Sequence, residues 1–144
     1  MKPNELEMRR IMRRAEEKEV RAILTRDFSA SRMSNTRWKQ TLWSLENIPG
    51  KRRVKFVNVG EPLVGWLRPA TDTYFDSWWG PVLILSVEWL EIWPFEEIGR
   101  GMLQEPQRVN HGAEAERRLQ EINVPYEWVE NNIRIIGHVR NAEG

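Results

Sequence analysis

The sequence lacks cysteine altogether, and its 144 residues include only two histidines. Without cysteine the chain can form no disulfide framework, thiolate zinc site or cysteine nucleophile, and this composition is compatible with a reducing compartment. The two histidines, His111 and His138, belong to no metal-binding spacing. No phosphate loop, dinucleotide fingerprint or serine-nucleophile motif is present either. We therefore predict no metal, no cofactor and no assigned catalytic residue.

The chain also lacks an excess of one charge and a long apolar run. Its 22 Lys and Arg oppose 21 Asp and Glu, which argues against both a nucleic-acid polycation and an acidic mimic of nucleic acid. The longest apolar run, Pro81 to Leu85, is too short to cross a bilayer, and the N-terminus has no apolar signal segment. We expect a cytoplasmic protein without membrane association.

The N-terminal segment differs in composition from the rest of the chain. Residues 1–32 hold nine Lys and Arg against six Asp and Glu, and Met8, Ile11 and Met12 have helical spacing. The segment is therefore predicted to be a basic amphipathic helix, appended to a single domain over residues 33–144. A solvated helix packed on the domain is the favoured interpretation. The alternative is an arm that binds nucleic acid through Arg9, Arg10, Arg13 and Arg14.

The remaining pattern predicts an α+β domain. Two sets of apolar residues have helical spacing and indicate two short helices: Trp38, Leu42 and Leu45, and then Ala115, Leu119 and Ile122. Strand-like segments occupy residues 51–59 and 82–93, and a hairpin is predicted over residues 126–136. We expect an antiparallel or mixed sheet of about four to five strands, with the two helices packed on one face.

The predicted hairpin places a polar face beside the core. A turn at Asn131-Asn132 would set Trp128 opposite Ile135 in the core, with Glu127 diagonal to Arg134. Glu127, Arg134 and His138 would then share a face that could bind an acidic partner. An ordinary solvated sheet face is the favoured alternative.

Eight tryptophans lie between Trp38 and Trp128, and such rings either fill a core or anchor a partner. Tyr74, Trp78 and Trp79 belong to an aromatic loop segment. If Trp78 and Trp79 have extended backbone, as adjacent residues of a strand do, their rings face opposite sides. We expect one of the two adjacent tryptophans to be exposed as a partner anchor. A lid of rings folded back over the core is the equally weighted alternative. We expect Trp89, Trp93 and Trp128 in the core.

A second possible binding surface is basic. Four cations begin the strand that follows Pro49-Gly50, and Phe56 comes directly after the last of them. Basic and aromatic side chains placed together in this way are similar to those with which a sheet grips phosphates and stacks on bases. Such cations are more often a guard against edge-to-edge aggregation. The nucleic-acid alternative would use Lys51, Arg52, Arg53 and Lys55.

Two glutamates interrupt the most apolar strand. Glu88 and Glu91 are three residues apart and would therefore point to opposite faces of a regular strand. A solvent-facing position at the strand end is the favoured interpretation. The alternative is a hydrolase-type pocket formed by Glu88, Glu91 and His138, and it requires the strand to bend.

Three segments carry a family resemblance: Arg37-Trp38-Lys39, Val87 to Ile92, and Val124 to Trp128 followed by Ile133 to His138. Over about residues 33–140 the chain resembles a family of small bacterial domains of unknown function, which implies no established activity. Small Trp-rich α+β domains of this kind also resemble immunity proteins that neutralise a toxin.

These observations favour a non-enzymatic protein-interaction module with an immunity-like role. Its partner would be a protein whose identity the sequence does not give, and the oligomeric state stays open. Binding would use Trp78, Trp79, Tyr74, Glu127, Arg134 and His138.

Overall fold

A computed structural model describes residues 4–142. Residues 1–3 of the predicted N-terminal helix and residues 143 and 144 of the predicted domain lie outside this range. The helices are α1 (Glu5–Asp27), α2 (Asn35–Ser44) and α3 (Gly112–Glu121). The strands are β1 (Phe28–Ser31), β2 (Lys51–Phe56), β3 (Leu63–Val64), β4 (Leu67–Pro69), β5 (Tyr74–Ser77), β6 (Val82–Leu83), β7 (Val87–Trp93), β8 (Phe95–Ile98), β9 (Gln107–Asn110), β10 (Glu127–Val129), β11 (Asn132–Ile136) and β12 (His138–Arg140).

The central sheet has five antiparallel strands in the order β10-β11-β7-β2-β3. The two short helices supply Trp38, Leu42, Ala115 and Leu119 to the buried cluster that holds the apolar side chains of this sheet. The sheet side chains in that cluster are Val54, Phe56, Leu90, Ile92, Ile133 and Ile135. One face of the sheet is thus the helix-covered core, and the alternate residues of its strands lie on a helix-free face.

The predicted α+β class is confirmed, and the details differ from a single sheet with two helices. Three small antiparallel sheets accompany the central one in the described range: β1-β12, β4-β5-β6 and β8-β9. The continuous strand predicted over residues 82–93 is wrong. A 3-10 turn over Ile84–Ser86 separates β6 from β7, so that the two strands join different sheets. An apolar run does not by itself distinguish a buried turn from a buried strand.

Helix α1 begins with a capping box, in which the Asn4 side chain accepts a hydrogen bond from the Glu7 amide. Its C-terminal half packs on the protein through the fully buried Val20, whereas residues 4–15 are all largely exposed. The strand that follows pairs with β12. The predicted division at residue 32 stays a prediction, although side chains on both sides of it, such as Val20 and Leu83, share a second buried cluster.

The hairpin forms, but its predicted register is wrong. Val129 pairs with Asn132, so the turn is Glu130-Asn131, and Glu130 adopts a left-handed conformation with φ of 57°. Glu127 therefore lies directly opposite Arg134 rather than diagonal to it. Trp128 pairs with Ile133 on the edge strand and is half exposed rather than part of the core.

Candidate functional site

The adjacent tryptophans after β5 have different environments. Trp78 is 73% exposed, the largest exposure of any tryptophan in the described chain. Trp79 instead stacks over the backbone of Gly65, where a Cβ atom would lie 2.5 Å from its ring, and meets Phe56 edge-on at 6.0 Å between ring centroids. Gly65 therefore provides the space that Trp79 occupies. Trp78 is exposed, as predicted for one of the two rings, and Trp79 is partly covered but keeps 40% of its surface exposed.

Trp78 belongs to a larger surface that we call the aromatic patch, defined as Trp43, Val64, Trp66 and Trp78. The patch spans two adjoining clefts of about 380 and 530 Å³ that share Arg52 and Trp66 on their walls. Trp43 lines the first cleft, and Val64 and Trp78 line the second. Exposed apolar side chains that are contiguous in this way are typical of interaction sites.

Arg52 fixes the floor between the two clefts. Its guanidinium donates hydrogen bonds to the carbonyl oxygens of Leu45, Ile48 and Gly50 at 2.7–3.0 Å, which ties the segment after α2 to β2. Burial lowers the pKa of Arg52 from its usual value. The nearby Arg68 lies over the ring of Trp66 at 5.0 Å, so this ring is held by a cation–π contact.

Trp43, Val64 and Trp66 are surface groups that were not predicted from the sequence. Trp43 follows Leu42 by one position and is thus off the buried helical face, a signal that was available in the spacing. Val64 and Trp66 lie in and beside a two-residue edge strand, whose exposure depends on sheet order rather than on local sequence.

The helix-free face of the central sheet carries a row of paired residues, one from each strand. In strand order from β10 to β3 they are Glu127, Arg134, Glu91, Arg53 and Val64. Glu91 is only 2% exposed, and each of its two carboxylate oxygens accepts hydrogen bonds from one guanidinium, Oε1 from Arg53 and Oε2 from Arg134. We call this the Arg53–Glu91–Arg134 triad.

A β-bulge brings the second glutamate to the same face. Lys55 pairs with Trp89 while Phe56 pairs with Val87, so Glu88 is the extra residue on β7. Lys55 lies two positions from Arg53 on β2, and its Nζ is 3.5 Å from Glu88 Oε1. The expected placement of the two glutamates on opposite faces is therefore wrong. Both are buried rather than solvent-facing, and Arg140 holds Glu88 at 2.7–3.1 Å.

His138 does not share the open face with Glu127 and Arg134, and the expectation that it does is wrong. It is buried on β12, where Ser31 Oγ lies 2.7 Å from Nδ1 and the Leu85 carbonyl lies 2.7 Å from Nε2. Since a carbonyl only accepts, Nε2 carries the proton and Nδ1 of the neutral ring accepts from Ser31. Burial lowers the pKa of His138, against smaller raising effects of the Leu85 carbonyl and the Glu88 charge.

Tyr74 is separated from the aromatic patch. It is buried in the second cluster beneath α1, with the Arg13 guanidinium 4.9 Å from its ring centroid. Its hydroxyl has no hydrogen-bond partner among the described residues. Burial, followed by the charge of Glu16, raises the pKa of the Tyr74 phenol. The proposed role of Tyr74 in partner binding stays a prediction.

The basic residues are used in different ways. Arg9, Arg10, Arg13 and Arg14 are exposed on α1, and Lys51 is exposed at the start of β2. The other three cations of β2 are engaged in contacts within the protein, although Arg53 is partly exposed: Arg52 with backbone carbonyls, Arg53 with Glu91, and Lys55 with the carbonyls of Phe56 and Val59. The basic run is thus mainly a structural element of the sheet.

Among the described residues, 4–142, no group of three or more His, Asp or Glu side chains could hold a metal ion. None of the three helices in that range has the length and apolarity needed to cross a lipid bilayer.

Comparison with known proteins gives a family and no activity. No curated protein and no solved structure matches the chain. One family model, described as a family of unknown function (DUF6678), matches residues 20–142. The match begins at Val20, the buried residue of α1, and it includes the aromatic patch and the triad. The chain therefore belongs to this family of unknown function.

Proposed function

We propose that the protein is a non-enzymatic protein-interaction module whose contact surface is the aromatic patch. The observation that carries the proposal is the exposure of Trp78 and of Val64, at 73% and 71% of their surfaces, beside two adjoining clefts. A tryptophan ring loses little conformational entropy on binding and buries a large area, so tryptophan is enriched among the residues that anchor interfaces.

The charges around the patch indicate the kind of partner. Lys51, Arg52 and Arg68 line the two clefts, and Glu46 is the one carboxylate among the cleft-lining residues. A protein segment with apolar side chains and flanking Asp or Glu residues would complement this surface. Neutralisation of such a protein, as an immunity protein neutralises its toxin, is one form of this proposal.

Site-specific photo-crosslinking in the source cells tests the proposal. A photoreactive residue at position 64, inside the patch, is compared with one at position 103. Leu103 is a matched control because it is fully exposed and apolar and lines neither cleft. We expect an adduct with one other protein from position 64, none from position 103, and loss of that adduct when Trp78→Ala is added.

Three outcomes would contradict the proposal. They are the absence of any protein adduct from position 64, the same adduct from both positions, and an adduct consisting only of a second copy of the chain. Because Trp78 is exposed, its replacement should change the free energy of unfolding by less than about 0.5 kcal/mol. A lost adduct therefore reports on binding rather than on unfolding.

A further inference from the structure

The aromatic patch offers hydrogen-bond donors that the protein does not use. In the described part of the chain, Trp128 is the one tryptophan whose indole N–H has a hydrogen-bond partner, so the indole groups of Trp43, Trp66 and Trp78 are unpaired there. All three side chains are exposed. An indole N–H only donates. Arg68, whose guanidinium lies over Trp66, has no hydrogen bond in the same part of the chain and adds further donors.

Acceptors are scarce on the walls of the two clefts. Glu46 carries the one side-chain carboxylate among the lining residues. The carbonyl oxygens of Leu45 and Gly50, one beside each cleft, already accept hydrogen bonds from Arg52. The Arg52 carbonyl in turn accepts from the Gly65 amide at 3.1 Å. The patch is therefore apolar, rich in donors and poor in acceptors, so a complementary ligand is apolar, rich in acceptors and poor in donors.

The edge of the central sheet beside the patch is too short to pair with an added strand. The edge strand β3 has only two residues, Leu63–Val64, and Pro62 before it has no backbone N–H. A strand from a partner needs a longer row of free N–H and C=O groups. A helix satisfies most of its own carbonyl oxygens and would leave the indole donors unpaired. An extended segment without internal hydrogen bonds fits this surface better than either.

We propose that the aromatic patch binds a proline-rich segment of the partner in the polyproline II conformation, an inference that rests on the proposed function. Proline has a carbonyl oxygen and no N–H. A polyproline II helix has no internal hydrogen bonds, so its carbonyl oxygens are free to accept from the indoles. Its rings pack on aromatic walls, and Trp66 lies on a wall of both clefts. Aspartate or glutamate beside the prolines complements Lys51 and Arg68.

Titration of the full-length protein with a synthetic oligoproline peptide that has aspartates at both ends tests the inference. The control peptide has alanine in place of every proline and the same aspartates. The readout is the NMR resonance of each tryptophan Nε1–Hε1 group. We expect saturable shifts at Trp66 and Trp78 and none at Trp128, which already donates to Glu116. The proline peptide should bind at least about tenfold more tightly than the alanine peptide, because its conformation is preformed.

The substitution Trp78→Phe separates the indole N–H from the aromatic ring. Phenylalanine keeps a ring and lacks the donor, so the Kd of the proline peptide should rise about three- to tenfold. Trp128→Phe is the matched control, because Trp128 lies on β10 at the opposite edge of the central sheet from β3. We expect no change in Kd for this control.

Three results would overturn the inference: no saturable shift with the proline peptide, equal affinity for the alanine peptide, and an unchanged Kd in Trp78→Phe. None of them contradicts the interaction module, because a protein adduct from position 64 would still show a partner at the patch. The absence of that adduct contradicts the proposed function, whatever the peptide titration gives. The two failures are therefore distinguishable.

Discussion

Replacement of Glu91 by alanine is the sharpest test of how the helix-free face is held together. Glu91 is 2% exposed, and its carboxylate accepts four hydrogen bonds from two guanidiniums. Removing one partner of a fully buried ion pair costs about 3–5 kcal/mol. Arg53 and Arg134 are 44% and 25% exposed and can regain water. We therefore expect Glu91→Ala to lower the free energy of unfolding by about 2–3 kcal/mol.

Urea unfolding gives this value directly from the midpoint when the slope m is unchanged. A loss of 2–3 kcal/mol corresponds to a fall in Tm of about 6–9 °C for a chain of this size. The matched control is Glu97→Ala, which removes a glutamate that pairs with Arg108 where both side chains are more than half exposed. We expect about 0.5 kcal/mol or less for this surface pair.

Salt separates the two effects further. The contribution of the exposed Glu97 pair should disappear at 1 M salt, whereas most of the Glu91 effect should persist because the carboxylate is shielded from solvent. A loss for Glu91→Ala that equals the loss for Glu97→Ala, with the same salt dependence, would refute the structural role assigned to the triad.

Three further predictions concern the core, the aromatic loop and pH. Gly137→Ala should lower the free energy of unfolding by about 2 kcal/mol in urea titrations, because the added Cβ would lie 2.6 Å from the Val87 carbonyl oxygen. An unchanged unfolding midpoint would contradict this packing. Trp79→Ala should lower the free energy of unfolding by about 2 kcal/mol in the same titrations, since the ring covers Gly65. A loss of less than about 0.5 kcal/mol would show that Trp79 is not a packing residue. Because the folded-state pKa of His138 is lowered, the unfolded chain takes up the proton first as pH falls below about 6.5, so the free energy of unfolding should decrease there. In urea titrations at several pH values, His138→Gln should reduce the slope of the free energy of unfolding against pH. An identical slope in the variant would refute this role of His138.

Local patterns predicted the elements that depend on neighbouring residues. The spacing of Trp38, Leu42 and Leu45 identified α2, and Ser34 caps it by accepting a hydrogen bond from the Arg37 amide. The alternation in Lys51–Phe56 likewise identified β2, with Val54 and Phe56 in the core. The signals for these elements are amphipathic period and capping, which act within one element.

Features that depend on pairing between distant strands could not be predicted. The bulge at Glu88 arises from how β2 pairs with β7, and it reverses the face expected from residue parity. The hairpin register depended on which residue of the turn adopts positive φ, and Glu130 does so in place of the asparagines. The ion pairs of Glu91 with Arg53 and Arg134 could not be predicted either, because they arise from a sheet order that places an arginine on each side of it.

The affinity of the Trp78→Ala protein for the crosslinked partner tests the central claim most directly. An anchor residue contributes at least about 2 kcal/mol, which corresponds to an increase of about thirtyfold in Kd. We predict an increase of that size in Kd by isothermal titration calorimetry, with Leu103→Ala unchanged and the unfolding midpoints of both variants close to wild type. A Kd that changes less than about twofold for Trp78→Ala would contradict the assignment of the aromatic patch as the binding surface.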